Sequence, residues 1–311
     1  MNIIKSALLC SAATLAIASA NAADLPSKKS PANAFTQMGI DAFVSAGFGY
    51  SWAGANVDGE SVGSMNGVNF ETRATFAAPL TGAIGIQADG EFVRNSNRLG
   101  DMFDRVEQTG SLAGHVFARN NTGLLGVIAQ GNSTTENVAF ENTQHRRYFL
   151  GAEGQYFLGK TTIYGQAAYQ NLSYGSGIIN LPIELSFGGM NLSAQVRHFM
   201  EPNWMAALKV DYQNLTGDGL ILSAVKQTAW RVGARTEYRL DASPISVYGD
   251  LSHAWNNVSF DGSYKENETR AMAGIKLNFG TSTLFERDRS GASLEPIRPS
   301  RLIGLGGLGL L

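Results

Sequence analysis

The stretch Ile40-Asp41-Ala42-Phe43-Val44-Ser45-Ala46-Gly47-Phe48-Gly49-Tyr50-Ser51-Trp52 decides the fold class. Ile40, Ala42, Val44, Ala46, Phe48, Tyr50 and Trp52 hold alternate positions, with Asp41, Ser45, Gly47, Gly49 and Ser51 between them. Period two marks a strand with one apolar and one polar face. The pattern returns at Val68-Phe70-Ala74-Phe76-Ala78, Ile84-Ile86-Ala88-Phe92, Tyr148-Leu150-Ala152-Tyr156 and Met190-Leu192-Ala194-Val196. It returns again at Trp204-Ala206-Leu208-Val210-Tyr212, Trp230-Val232-Ala234-Tyr238 and Ala271-Ala273-Ile275-Leu277-Phe279. Weaker runs lie at 112–119, 123–131, 161–171 and 245–255. Of these, 123–131 fits least, because its apolar residues fall on both faces. About twelve strands of about 9–14 residues result, the length class of tilted membrane-spanning strands.

Composition agrees. The 311 residues are 44% hydrophobic and 16% charged, with 36 Gly, 8 Pro and one Cys, against about 25% charge and about 7% Gly in average soluble domains. A disordered chain would carry more charge and fewer aromatics, and one Cys excludes an intrachain disulfide framework. Past the N-terminus no run approaches the roughly 18 apolar residues of a spanning helix. A net charge of −2 without a basic tract speaks against nucleic acid as a partner.

The N-terminus reads as an export signal: Lys5, the apolar run Ala7 to Ala18, then Ala20-Asn21-Ala22 as a small-x-small cleavage pattern. The expected organisation is signal peptide 1–22, flexible segment 23–38, barrel 39–280 and a periplasmic C-terminal tail 281–311. Connections alternate. Long ones are expected at 53–66, 94–107, 132–144, 173–184, 214–226 and 256–266, and short ones at 79–82, 120–122, 158–160, 201–203 and 241–244. Short turns on one side and longer loops on the other are the habit of a transmembrane antiparallel up-and-down β-barrel, with short periplasmic turns and longer extracellular loops. On that reading Trp52, Phe70, Phe92, Tyr148, Tyr169, Tyr212, Trp230 and Trp255 form an outer aromatic girdle. Tyr156, Trp204, Tyr238 and Phe279 form an inner one, with aliphatic residues between.

The signal peptide, the mature start Ala-Asp-Leu-Pro-Ser-Lys-Lys-Ser-Pro at 23–31 and the repeating strands resemble porin-type outer-membrane β-barrel proteins of Gram-negative bacteria. Ile275-Lys276-Leu277-Asn278-Phe279 resembles the terminal strand that the barrel-assembly machinery recognises in that family, although here 32 residues follow Phe279. The resemblance implies the cell outer membrane as location, and membrane lipid and that machinery as partners.

Enzymatic motifs match only literally. Gly59-Glu60-Ser61-Val62-Gly63 has the letters of a nucleophile elbow without a following helical pattern. Ser223-Ala224-Val225-Lys226 lacks companion motifs, and Gly304 to Gly309 has no preceding strand. His115, His145, His198 and His253 show no metal-ligand spacing. No enzyme, metal or cofactor is expected. The inward face is more informative. Acidic residues gather on early strands (Asp41, Glu71, Asp89, Glu91, with Arg73 among them). Basic ones dominate late strands: Arg197, Lys209, Arg231, Arg235, Arg239, Arg270 and Lys276, with Asp211, Glu237 and Asp250 interspersed. Opposed walls would set a transverse field across a wet lumen. The expected pore-lining set is Glu71, Arg73, Asp89, Glu91, Arg147, Glu153, Arg197, Lys209, Asp211, Arg231, Arg235 and Glu237. The function expected is a passive diffusion pore for small hydrophilic solutes. The alternative is a non-conducting surface barrel with a structural or partner-binding role through its extracellular loops, its lumen closed by neighbouring pairs such as Glu71–Arg73 or Asp211–Arg231. For the tail, the alternatives are a lumen plug or a docking segment.

Overall fold

The computed structural model describes residues 38–99, 103–138, 141–176, 184–218, 225–259 and 262–299; the expected signal peptide 1–22 and nearly all of the expected segment 23–38 lie outside them. Twelve strands follow one another: β1 (Asp41–Val57), β2 (Glu60–Thr81), β3 (Ile84–Leu99), β4 (Phe103–Arg119), β5 (Gly123–Val138) and β6 (Glu141–Leu158). Then come β7 (Thr161–Ser176), β8 (Glu184–Glu201), β9 (Trp204–Asp218), β10 (Val225–Arg239), β11 (Ile245–Ser259), β12 (Ser263–Phe279) and a short helix, α1 (Leu284–Ser290). Each strand pairs antiparallel with its neighbours, and β12 returns to β1, closing the ring. The sheet therefore has no edge, and its backbone donors and acceptors are consumed internally.

The alternation read from sequence survives as inside and outside. In β1, Phe48, Tyr50 and Trp52 are exposed on the outer surface, while Ser45, Gly47 and Ser51 are buried toward the interior. In β10, Trp230, Val232 and Tyr238 face out. Tyr148 and Tyr156, Trp204 and Tyr212, and Trp230 and Tyr238 are each eight residues apart. At about 3.3 Å per residue and a tilt of about 35–45°, eight residues climb roughly 20 Å, close to the roughly 25 Å apolar band of such barrels.

The expected long loops are corrected. Ala53 to Val57 continue in register with Glu60 to Met65, with one irregularity at Ala55/Asn56, and the chain reverses at Asp58 and Gly59, both at positive φ (48° and 92°). Strands β9 and β10 likewise stay paired out to Gly217 and Val225. Ladder hydrogen bonds need no apolar pattern, so the hairpins run on beyond the aromatic belt with polar residues on both faces. This makes the strands 15–22 residues long and longer than expected. We call the rim at which Asp41 and Phe279 lie the near rim, and the opposite one the far rim.

Leu208 is 67% exposed midway between Trp204 and Tyr212. Leu208→Arg is expected to destabilise the folded barrel by about 2–4 kcal/mol, measured by urea titration in phospholipid vesicles. A cost near zero would mean that this surface faces water.

Candidate functional site: the lumen and its C-terminal insert

All twelve expected lining residues face the interior. Glu71, Arg73, Asp89, Glu91, Arg147, Glu153, Arg197, Asp211 and Glu237 are buried there, and Lys209, Arg231 and Arg235 border an internal cavity. The interior is not bounded by strands alone. The tail expected outside the barrel is placed differently: residues 281–299 enter at the near rim and climb to mid-height.

Asp41 anchors the entry. Its carboxylate accepts from the Thr281 amide and hydroxyl (3.2 and 2.9 Å), the Arg287 Nε (3.1 Å) and the Ala292 amide (2.8 Å). Thr283 then caps α1, its hydroxyl accepting from the Glu286 amide at 3.0 Å, while the Glu286 carboxylate accepts from the Ser282 amide at 2.7 Å. These contacts satisfy helix-terminal donors that would otherwise be orphaned. Leu284 packs with Phe199, Met205 and Ala207, and Asp288 pairs with Arg197 at 3.0 Å.

Beyond α1 the chain is extended, and luminal side chains supply the hydrogen bonds that a sheet partner would have given. Gln87 grips both sides of Leu294, accepting from its amide (3.1 Å) and donating to its carbonyl (2.9 Å). Gln130 does the same to Ile297, at 2.7 Å each way. Pro296 and Pro299 have no amide hydrogen to satisfy. Leu294 packs with Phe117, Leu124 and Tyr164, and Ile297 with Ala113, Ile128, Phe149 and Ala168. This explains the poor pattern of 123–131: Leu125 and Val127 face out, while Leu124 and Ile128 face in to meet the insert.

The insert is also matched in charge. Arg298 pairs with Glu91 at 2.6 Å and with Glu71, on the acidic wall. Glu295 pairs with Arg73 at 3.0 Å. Burial alone would raise the Glu295 carboxyl, but Arg73, Arg197, Lys209 and Arg235 outweigh it and hold it well below the ordinary carboxylate range. Neither luminal pair proposed from sequence forms. Glu71 bonds Arg270 and Arg298, Arg73 bonds Asp89 and Glu295, and Asp211 lies 3.4 Å from Lys209. Arg231 instead donates to the main-chain carbonyls of Arg298 and Pro299 (3.4 and 3.3 Å).

Spacing along the chain gave no hint of one cluster. Beneath the insert, His115 sits with Nδ1 2.6 Å from Glu153 and Nε2 3.1 Å from Asp89, brought together from β4, β6 and β3. Among the described residues no group of His, Cys, Asp or Glu is arranged to hold a metal ion. Of the literal motifs, Ser61 lies in the β1–β2 ladder opposite Asn56. Ser223 and 304–309 fall outside the described residues. His253 bonds Thr269 at 2.7 Å beside Trp255.

The Leu294 side chain and the two glutamine clamps hold the insert. Leu294→Ala is expected to weaken its seating by about 2–5 kcal/mol. By hydrogen exchange, the amides of 292–295 and 297 should then exchange more than about tenfold faster, with those of β10 unchanged. Equal exchange in both proteins would mean that Leu294 contributes nothing to seating.

No protein-family model and no curated protein sequence matches the chain. Solved structures do. An outer membrane channel from Pseudomonas putida F1 aligns with a TM-score of 0.56 at 14% identity, over 81% of this chain and 100% of that one. The translocator domain of the autotransporter NalP from Neisseria meningitidis aligns at 0.50 and 12%, over 88% and 97%. The β domain of the Bordetella autotransporter BrkA aligns at 0.50 and 9%, over 77% and 99%. At such identities the likeness is one of fold. By its closed ring of twelve antiparallel strands and its apolar exterior, this chain is an all-β barrel with the fold of the outer-membrane β-barrels.

Proposed function

We propose that the chain is an outer-membrane barrel of a Gram-negative cell that lets small hydrophilic solutes cross passively, with its own C-terminal segment narrowing the route. In this reading residues 1–22 direct export, the barrel-assembly machinery inserts residues 39–280, and the near rim faces the periplasm. The carrying observation is the contrast between the two faces of one sheet. The outside presents Leu125, Leu150, Leu208 and Leu251, all more than half exposed, while the inside presents charged and amide side chains. Only an aqueous or ion-paired lumen tolerates such an interior. No catalytic role is proposed for any luminal residue.

The second reading, a non-conducting barrel with a structural or partner-binding role, draws on the insert itself, which bonds Glu91 on one wall of the lumen and Arg231 on the other. The two separate in a planar bilayer. The full chain is expected to give small channels. A chain ending at Gly280, or the full chain carrying Leu294→Asp with Ile297→Asp, is expected to give channels several-fold larger. Absence of conductance from all three folded proteins would refute the diffusion route. Equal conductance in all three would remove the segment as the constriction.

A further inference from the structure

Beneath the insert, the buried His115 of β4 stands between two buried carboxylates, with Nδ1 2.6 Å from Glu153 on β6 and Nε2 3.1 Å from Asp89 on β3. A neutral imidazole carries one N–H, so one of these contacts would set a ring lone pair against a carboxylate. The trio therefore needs two protons, on both ring nitrogens or on one nitrogen and one carboxyl. Burial makes an unmatched contact costly here.

The same two carboxylates position the groups that hold the insert. Asp89 accepts from Arg73 Nε and Nη2 (3.1 and 2.7 Å) and from Gln87 Nε2 (2.8 Å). Arg73 pairs in turn with Glu295, and Gln87 grips the main chain of Leu294. Glu153 accepts from the Tyr164 hydroxyl at 2.9 Å, and both Tyr164 and Gln166 reach the Glu295 carbonyl (3.3 and 3.1 Å). Around the trio the other titratable or charged groups among the described residues are Arg73 on β2, Tyr164 on β7, Arg197 on β8 and Glu295 on the insert. Arg197 lies over the Tyr164 ring at 5.3 Å. From β5, Ile128 stands opposite His115.

We propose that Asp89, His115 and Glu153 form a proton-operated latch, which holds the insert in the lumen while two protons are bound and releases it when one is lost. This coupling holds whether or not solute passes the insert. Loss of a proton leaves a carboxylate facing a lone pair in a site that the insert closes off. Lifting the insert admits water, which supplies the missing donor. The seated form thus binds one proton more than the unseated form, so seating is strongest below the transition and weakens as pH rises through it.

Glu153 gives a specific test, because its two oxygens have different partners: Oε1 faces His115 and Oε2 accepts from Tyr164. In Glu153→Gln the amide nitrogen can donate to a neutral imidazole while the amide oxygen keeps Tyr164, and the second proton is no longer required. Hydrogen exchange of the full chain in phospholipid nanodiscs is followed from mildly acid to alkaline pH. Each rate is divided by that of an unstructured peptide at the same pH, which removes the chemical pH dependence of exchange. Protection of the amides of 292–295 and 297 should fall by about tenfold or more in a single-proton step as pH rises, with β10 unchanged. Glu153→Gln should keep its protection through that step. His115→Gln, which leaves one carboxylate without a donor at every pH, should be weakly protected and flat. Circular dichroism of each variant confirms the fold. Protection in the native chain that ignores pH, or that falls at the same pH in Glu153→Gln, would overturn the latch and leave the insert in place. Exchange of these amides without protection in every folded form would overturn the seating as well.

Discussion

The pairing of β12 with β1 is the contact on which the rest depends. Sixteen residue pairs, from Ala42 with Phe279 to Val57 with Tyr264, convert an open sheet into a ring. Hydrocarbon offers no hydrogen bonds, so a free edge there would leave a row of amides unsatisfied at several kcal/mol each. Closure removes that cost and at the same time divides the side chains. Between the aromatic belts every strand now has one face on the apolar exterior and one on an enclosed space that takes the charged side chains. The inner face is thus a consequence of the ring.

An enclosed polar space has its own requirement. Buried charges need partners, and unpaired ones are among the most expensive features a protein can hold. Here the partners for Asp41, Glu71, Glu91, Arg73 and Arg197 come partly from a segment that lies beyond the last strand. That segment carries few apolar anchors and lies extended, so side-chain amides of Gln87 and Gln130 stand in for a neighbouring strand. Its polar contacts run from Asp41 on β1 round to Arg231 on β10.

The strands were legible because an apolar exterior and a polar interior impose period two on the residues between the aromatic belts. Beyond the belts that pressure vanishes. There the ladder persists on backbone bonds alone, and polar stretches such as 53–66 look like loops although they are hairpins. The Asp58-Gly59 dipeptide, both residues at positive φ, was a readable two-residue turn signal inside that stretch. The insert was harder to see, since residues 291–299 have no periodicity and their partners come from nine strands, β1 to β8 and β10. Two signals were nevertheless present. Thr283-Leu-Phe-Glu286 has the spacing of a capping box. The apolar residues on the wrong face of 123–131 needed something inside the barrel to touch. The sign of each luminal side chain could be read directly, but its partner could not, because register and the insert decide who meets whom.

The central claim is that the chain's own C-terminal segment lies inside its lipid-facing ring. Ile297 packs with Ala113 on β4, and Cys10 is the only native cysteine. The most direct measurement places cysteines at Ala113 and Ile297, treats the membrane-inserted protein with a short thiol cross-linker and maps the product by mass spectrometry. A linked pair of peptides containing positions 113 and 297, formed within one chain, is the result expected here. A folded barrel in which both thiols react with a soluble reagent and never with each other would contradict it.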